Sequence, residues 1–197
     1  VRGKVELLAE SEGMTEQHME QLDEIYATLG RAVKLNKSLL LLSRIENGQY
    51  IVMEDVSVDE ILDALLLDLM DIYEHKQVRL IRKREEQPFI IRCNHSLAQI
   101  LVSNLVKNSL LHNREEGELQ VLTTPTSLVI KNTGDVPLDG EKLFRRFYHG
   151  MDGKKDSTGL GLAIARSIAL SSSLKLTYEW QDGMHTFRLV KESKIYC

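Results

Sequence analysis

The hydrophobic pattern of this 197-residue chain changes its period at Gly48. Before that glycine, apolar residues recur in steps of three and four, as one face of a helix demands. After it, short strand-like runs alternate with helical ones. The pattern implies a helical segment over residues 1–48 and an α+β unit over residues 49–197.

In the first segment Val1, Val5, Leu7 and Leu8 read as the tail of a helix, broken near Ser11-Glu12-Gly13. Thr15 is placed to cap a second helix. The seam of that helix is Leu22, Ile25, Leu29, Ala32 and Leu39, widened by Val33 and Leu40. A long amphipathic helix beside a partial one cannot bury such a stripe alone, so a second copy of the chain is the expected partner, in a homodimeric four-helix bundle. Asn36 falls on the seam, where it either fixes register as a buried amide or stands exposed at a loosely packed position.

In the second segment Tyr50 to Val56 reads as a strand, and Ser57-Val58-Asp59-Glu60 as a capping box opening a helix to about Lys76. Strands are expected at Val78–Lys83, Phe89–Arg92, Glu118–Thr123 and Leu128–Lys131, with Asn94 capping an intervening helix. A helix from about Gly159 to Ser171 follows a long glycine-containing loop. Leu174–Trp180 and Met184–Val190 then form a hairpin across Gln181-Asp182-Gly183. This order predicts a mixed sheet covered on one face by helices.

Composition narrows the function classes. The chain is 43% hydrophobic and 27% charged, with a net charge of -4 and interspersed signs, so it carries no electrostatic footprint for nucleic acid. Cys93 and Cys197 fit neither a metal spacing nor a disulfide framework and suit a reducing compartment. No apolar run approaches the roughly 18–20 residues that span a bilayer. The chain starts at Val1 within what already reads as helix, which points to a piece of a longer protein.

Ser157-Thr158-Gly159-Leu160-Gly161-Leu162-Ala163-Ile164 sets glycines beside a loop and at the start of an apolar helix. Such a helix start offers free amides and a favourable dipole to a phosphate, although it also reads simply as a glycine-softened helix start. Upstream, Asn104 and Asn108 are four apart on a helix and emerge from one face, either as oxygen ligands suited to Mg²⁺ or as polar residues on a solvated face. Asn132-Thr133-Gly134 follows the apolar run Leu128-Val129-Ile130 and is also good turn chemistry. Leu143-Phe144-Arg145-Arg146-Phe147-Tyr148 precedes a loop containing Lys154 and Lys155.

These four elements, in this order, resemble the ATP-binding domain of bacterial sensor histidine kinases. Leu39-Leu40-Leu41-Leu42-Ser43-Arg44-Ile45-Glu46-Asn47-Gly48 resembles the end of that family's dimerisation hairpin. The resemblance implies a two-layer α/β sandwich, ATP and Mg²⁺ as cofactors, and phosphoryl transfer to a histidine, then to a response-regulator aspartate. It implies Asn108 as metal ligand, with Asn104 where related ATPases carry a water-activating glutamate. An amide cannot accept that proton, which favours transfer over hydrolysis.

By the same resemblance Asn132 accepts from the adenine amino group and Gly134 lets the backbone approach the base. Phe144 and Phe147 would anchor a lid from Tyr148 to Thr158, or serve only as core. Thr158, Gly159, Leu160, Gly161 and Leu162 would meet the phosphates. His112, His149 or Lys154 would stand in for the basic residue the family places where this chain has Leu111. Val136-Pro137 and Ser157 also depart from the family's glycine pattern. The acceptor-histidine motif is absent, since His18 stands in the wrong context and His75, His95 and His185 are scattered singly. The resemblance places the acceptor upstream and the domain on the cytoplasmic side of an inner-membrane protein. A module that senses ATP without phosphotransfer is the alternative, and an ATP-hydrolysing relative is a third reading, which Asn104 disfavours.

Overall fold

The computed structural model describes Gly3 and residues 15–50, 52–148 and 158–192. Helix α1 spans Glu16–Glu46. It is followed by β1 (Glu54–Ser57), α2 (Val58–Ile72), a 3₁₀ turn (Glu74–Lys76), β2 (Arg79–Arg84), β3 (Ile90–Cys93) and α3 (His95–Leu111). Then come β4 (Glu118–Thr124), β5 (Ser127–Thr133), α4 (Gly161–Ser171), β6 (Leu174–Gln181) and β7 (Met184–Lys191).

The helix starts are chemical. Thr15 Oγ1 accepts from His18 N while His18 Nδ1 accepts from Thr15 N, a capping box in which histidine fills the position usually held by Glu or Gln. Ser57 accepts from Glu60 N at 3.3 Å, and Asn94 Oδ1 from Leu97 N at 3.3 Å. The two helix N-caps expected at Ser57 and Asn94 are thus both present. Apart from Gly3, which is helical, the proposed first hairpin helix lies outside the described residues.

Five strands form one mixed sheet in the order β2-β4-β5-β7-β6. Only β2 and β4 pair in parallel, with Arg79 opposite Glu118 and Arg84 opposite Thr123. A separate antiparallel pair joins β1 to β3. Strand β1 is shorter than expected, and α2 ends at Ile72 rather than near Lys76. There Tyr73 forms the C-cap and the chain turns through a 3₁₀ segment to Gln77 at φ 51°. The α+β architecture is the one the pattern predicts, with helices on one sheet face.

Period-two burial builds that face. Leu119, Val121, Leu128, Ile130, Phe187 and Leu189 are all at most 1% exposed and meet Leu101, Leu105 and Ile168 of the helix layer. The end of α1 joins the same core through Leu42 and Ile45, buried against α4, and Glu46 pairs with Arg146.

A buried carboxylate ties α2 to the sheet. Asp59, 6% exposed, accepts from Phe89 N at 2.8 Å, from Thr123 Oγ1 and from the Arg82 guanidinium. Burial alone would raise its pKa. The hydrogen bonds from Thr123, Phe89 N and Arg82 outweigh it, so the carboxyl is held below its ordinary 3.8. The stabilisation is therefore present above that ordinary value and lost as pH falls through the lower folded value. Asp59→Ala removes the nearest carboxylate of Arg82, leaving it Asp63 at 3.6 Å, and should destabilise the fold by about 1.5–3 kcal/mol in urea unfolding. Asp59→Asn should flatten the acid limb of stability against pH; a variant with wild-type acid sensitivity would contradict this role.

Candidate nucleotide site

Three segments far apart in sequence carry the expected residues, and one of them, α3, packs against both α4 and β5. On α3 the cap at Asn94 starts the helix, and Leu101, Val102, Leu105 and Val106 lock it into the core. That orientation leaves Asn104 and Asn108 half-buried on the opposite face, one turn apart, with no side-chain hydrogen bond to any described residue. Two amide oxygens are thereby held ready on a rigid element.

The start of α4 lies against this face. Gly159 takes φ 63°, a left-handed conformation that favours glycine, and its carbonyl accepts from Phe147 N at 2.9 Å. Leu160 is fully buried and pins the turn. Among the described residues no side chain caps α4, so the orphan amides of its first turn have no capping partner there. A side chain at Gly161 would place Cβ 3.4 Å from Asn104 Oδ1, which brings α4 directly onto the asparagine face. Thr158 is half-buried beside it, and Leu162 is 9% exposed.

The third segment is the end of β5. Asn132 points into the helix layer at 1% exposure. Its Nδ2 donates to Thr133 O at 3.2 Å, and its Oδ1 is buried with no partner among the described residues. An orphaned acceptor in a dry site costs about 1–3 kcal/mol unless a donor arrives, and a base amino group is such a donor. This atom, the uncapped amides of α4 and the free oxygens of Asn104 and Asn108 fit a purine nucleotide and its metal ion.

Gly134 has a reason the sequence did not show. A Cβ there would lie 2.0 Å from His185 Nε2, so the absent side chain makes room for an imidazole. His185 is 6% exposed, and burial lowers its pKa, partly offset by the Asp135 carboxylate. Tyr178 Oη accepts from Leu138 N at 3.0 Å and lies 2.9 Å from His185 Nδ1. Burial raises the Tyr178 pKa, so the phenol keeps its proton and can donate it to Nδ1.

His112 is the C-cap residue of α3, and its backbone N donates to Asn108 O at 3.0 Å. The two phenylalanines divide. Phe144 is half-buried under the Arg166 guanidinium, 5.5 Å from its ring centroid, whereas Phe147 is 53% exposed at φ 62°. His149 and Lys154 lie outside the described residues, as do Lys155 and Ser157.

Sequence reading missed Lys76. Its ammonium donates to Leu110 O at 2.9 Å, Leu111 O at 2.7 Å and Asn113 O at 2.9 Å, closing the C-terminus of the helix that carries both asparagines. A cation there also complements the helix dipole. A cavity of about 820 Å³ runs between α2, α3 and β1 over Ile61, Leu65 and Ile100. Of the motif residues it is lined only by Asn104. Lys76→Met should leave three carbonyls without their charged donor, costing about 1.5–3 kcal/mol in thermal or urea unfolding; an unchanged stability would exclude the cap.

Comparison with known proteins agrees with this geometry. Residues 94–192 match the family model described as Histidine kinase-, DNA gyrase B-, and HSP90-like ATPase. The chain belongs to that family, and its domain is of the type carried by bacterial sensor histidine kinases. Heme sensor protein HssS of Staphylococcus epidermidis is 29% identical over 157 residues, covering 75% of this chain and 33% of that protein. Sensor histidine kinase HprS of Escherichia coli is 25% identical over 164 residues, covering 79% and 35%. The chain thus spans about a third of the length of these curated relatives. Among solved structures, histidine kinase AdeS of Acinetobacter baumannii aligns at TM-score 0.66 and 18% identity, over 98% of this chain and 92% of that one. Full-length ShkA in complex with AMPPNP aligns at TM-score 0.70 and 15% identity, over 98% and 43%. At these identities the structural likeness speaks for the fold.

Proposed function

We propose that this chain is the catalytic core of a two-component sensor histidine kinase, with part of a dimerisation hairpin over residues 1–48 and the ATP-binding domain over residues 49–197. It binds Mg²⁺ and ATP. The observation that carries this reading is the buried Oδ1 of Asn132, without a partner among the described residues, in a domain where the uncapped start of α4 lies against Asn104.

ATP supplies a transferable γ-phosphoryl group, and Mg²⁺ neutralises charge that develops on it. The residues supply position. Asn132 accepts from the base, Asn108 offers a carbonyl oxygen to the metal, and Thr158, Gly159, Leu160, Gly161 and Leu162 approach the phosphates. His112, His149 or Lys154 supplies the basic contact that Leu111 cannot. Asn104 sits where a base would activate water but has no basic oxygen at neutral pH. Transfer to a protein histidine is therefore favoured over hydrolysis. The acceptor lies on a segment preceding this sequence, so the chain alone does not autophosphorylate, and the phosphoryl group passes onward to a response-regulator aspartate. The parent protein is anchored in the inner membrane with this part in the cytoplasm. Among the described residues, no helix is long and apolar enough to cross a membrane.

The exposed stripe on α1 supports a homodimer. Ile25, Val33 and Leu40 are 48%, 55% and 54% exposed on the single chain, on the seam expected to face a second copy. Asn36 is exposed there too. A second reading, a dimer module that senses ATP without phosphotransfer, is favoured by Leu111 at the position of the missing basic residue.

Calorimetry with ATP in the presence and absence of Mg²⁺ tests the reading. Binding should require the metal for full affinity and weaken at least tenfold in Asn108→Ala, a loss of roughly 1.4 kcal/mol. No heat at millimolar ATP would overturn it. Binding without phosphotransfer, once the upstream acceptor segment is restored, would favour the sensing module.

A further inference from the structure

Across the inner face of the sheet, Asn132 of β5 pairs with His185 of β7, and His185 pairs with Trp180 of β6. This row borders the chain leaving β5. Gly134 N donates to Gly183 O at 2.9 Å, and Trp180 Nε1 donates to Gly134 O at 3.1 Å. The His185 imidazole fills the space where a side chain at 134 would stand. Four residues on, Leu138 N donates to Tyr178 Oη, which bonds His185 Nδ1. The strap from Gly134 to Leu138 is thus bound at both ends by side chains of β6 and β7.

The strap controls an atom of the site. Thr133 O belongs to the peptide that enters Gly134, and it holds Asn132 Nδ2. An amide whose NH₂ is anchored on a carbonyl has that end fixed and turns its oxygen the other way, so the oxygen is the group it presents. Released from that carbonyl, the same amide can turn and present its NH₂ instead, reversing its preference. We propose that His185, Trp180 and Tyr178 are positioning residues that keep Asn132 facing the base as an acceptor only, so that the site selects nucleotides whose base carries an exocyclic amino group. No other residue named for the site reads the base, and the departure at Val136-Pro137 falls within the strap these aromatics hold.

This inference rests on the nucleotide-binding reading and is tested apart from it by the ratio of ATP to ITP affinity, since ITP replaces the adenine amino group by a carbonyl oxygen. Calorimetry on the full chain with Mg²⁺ should show wild type preferring ATP by roughly tenfold or more, because two acceptors facing each other leave a buried one unpaired. In His185→Ala the preference should fall to about threefold or less, with Mg²⁺ still required. Trp180→Phe removes the bond to Gly134 O and Tyr178→Phe the bonds to Leu138 N and His185 Nδ1; each keeps an aromatic ring and should shift the ratio the same way. Thermal unfolding of each variant identifies any that fail to fold, in which case the phenylalanine variants decide. Folded variants that keep the wild-type ratio overturn the positioning role. A wild type that binds both nucleotides equally overturns the acceptor-only reading, and one that binds neither overturns the nucleotide site itself.

Discussion

The sheet face turned toward the helices is apolar along most of its length and polar at one end, where Asn132, His185 and Trp180 lie in a row across β5, β7 and β6. Burying polar groups is unfavourable unless each finds a partner. His185 and Trp180 find theirs in Tyr178 and Gly134 O. Asn132 donates to Thr133 O through its NH₂ and leaves its oxygen without a partner among the described residues. Helix α3 brings two free amide oxygens to the same end of the molecule, and α4 brings the backbone amides of an uncapped first turn.

The local half of this arrangement was legible in the sequence. Thr15, Ser57 and Asn94 cap helices because a side-chain oxygen there reaches an amide two or three residues on, and that chemistry needs no knowledge of the rest of the fold. The hairpin through Asp182 and Gly183 is likewise local, with both residues at positive φ. The spacing of Asn104 and Asn108 put them on one face without reference to any neighbour. Period-two runs marked the strands, although Tyr50–Val56 overreached at its start, where the pairing of β1 with β3 begins only at Glu54.

What escaped was non-local. His185 read as one of several scattered histidines because nothing in its own neighbourhood says that it stands opposite Asn132, 53 positions earlier in the numbering. Gly134 was read as room for a base, and the imidazole fills that space. Asp59 read as part of a capping sequence, yet its carboxylate turns inward to Arg82, Thr123 and Phe89 N. Lys76, at the end of a 3₁₀ turn, closes a helix whose C-terminus lies more than 30 positions away. Each of these depends on register or packing between distant segments, which periodicity and cap chemistry do not specify.

The central claim is that nucleotide binds at Asn132, the asparagine face of α3 and the start of α4, and not in the groove between α2 and α3. Amide and side-chain NMR of ¹⁵N-labelled protein titrated with a non-hydrolysable ATP analogue and Mg²⁺ tests it directly. The account predicts shifts concentrated at Asn104, Asn108, Thr133, Gly134, Gly161 and the side-chain amide of Asn132. Shifts confined to Ile61, Leu65 and Gln99, or none at saturating analogue, would contradict it.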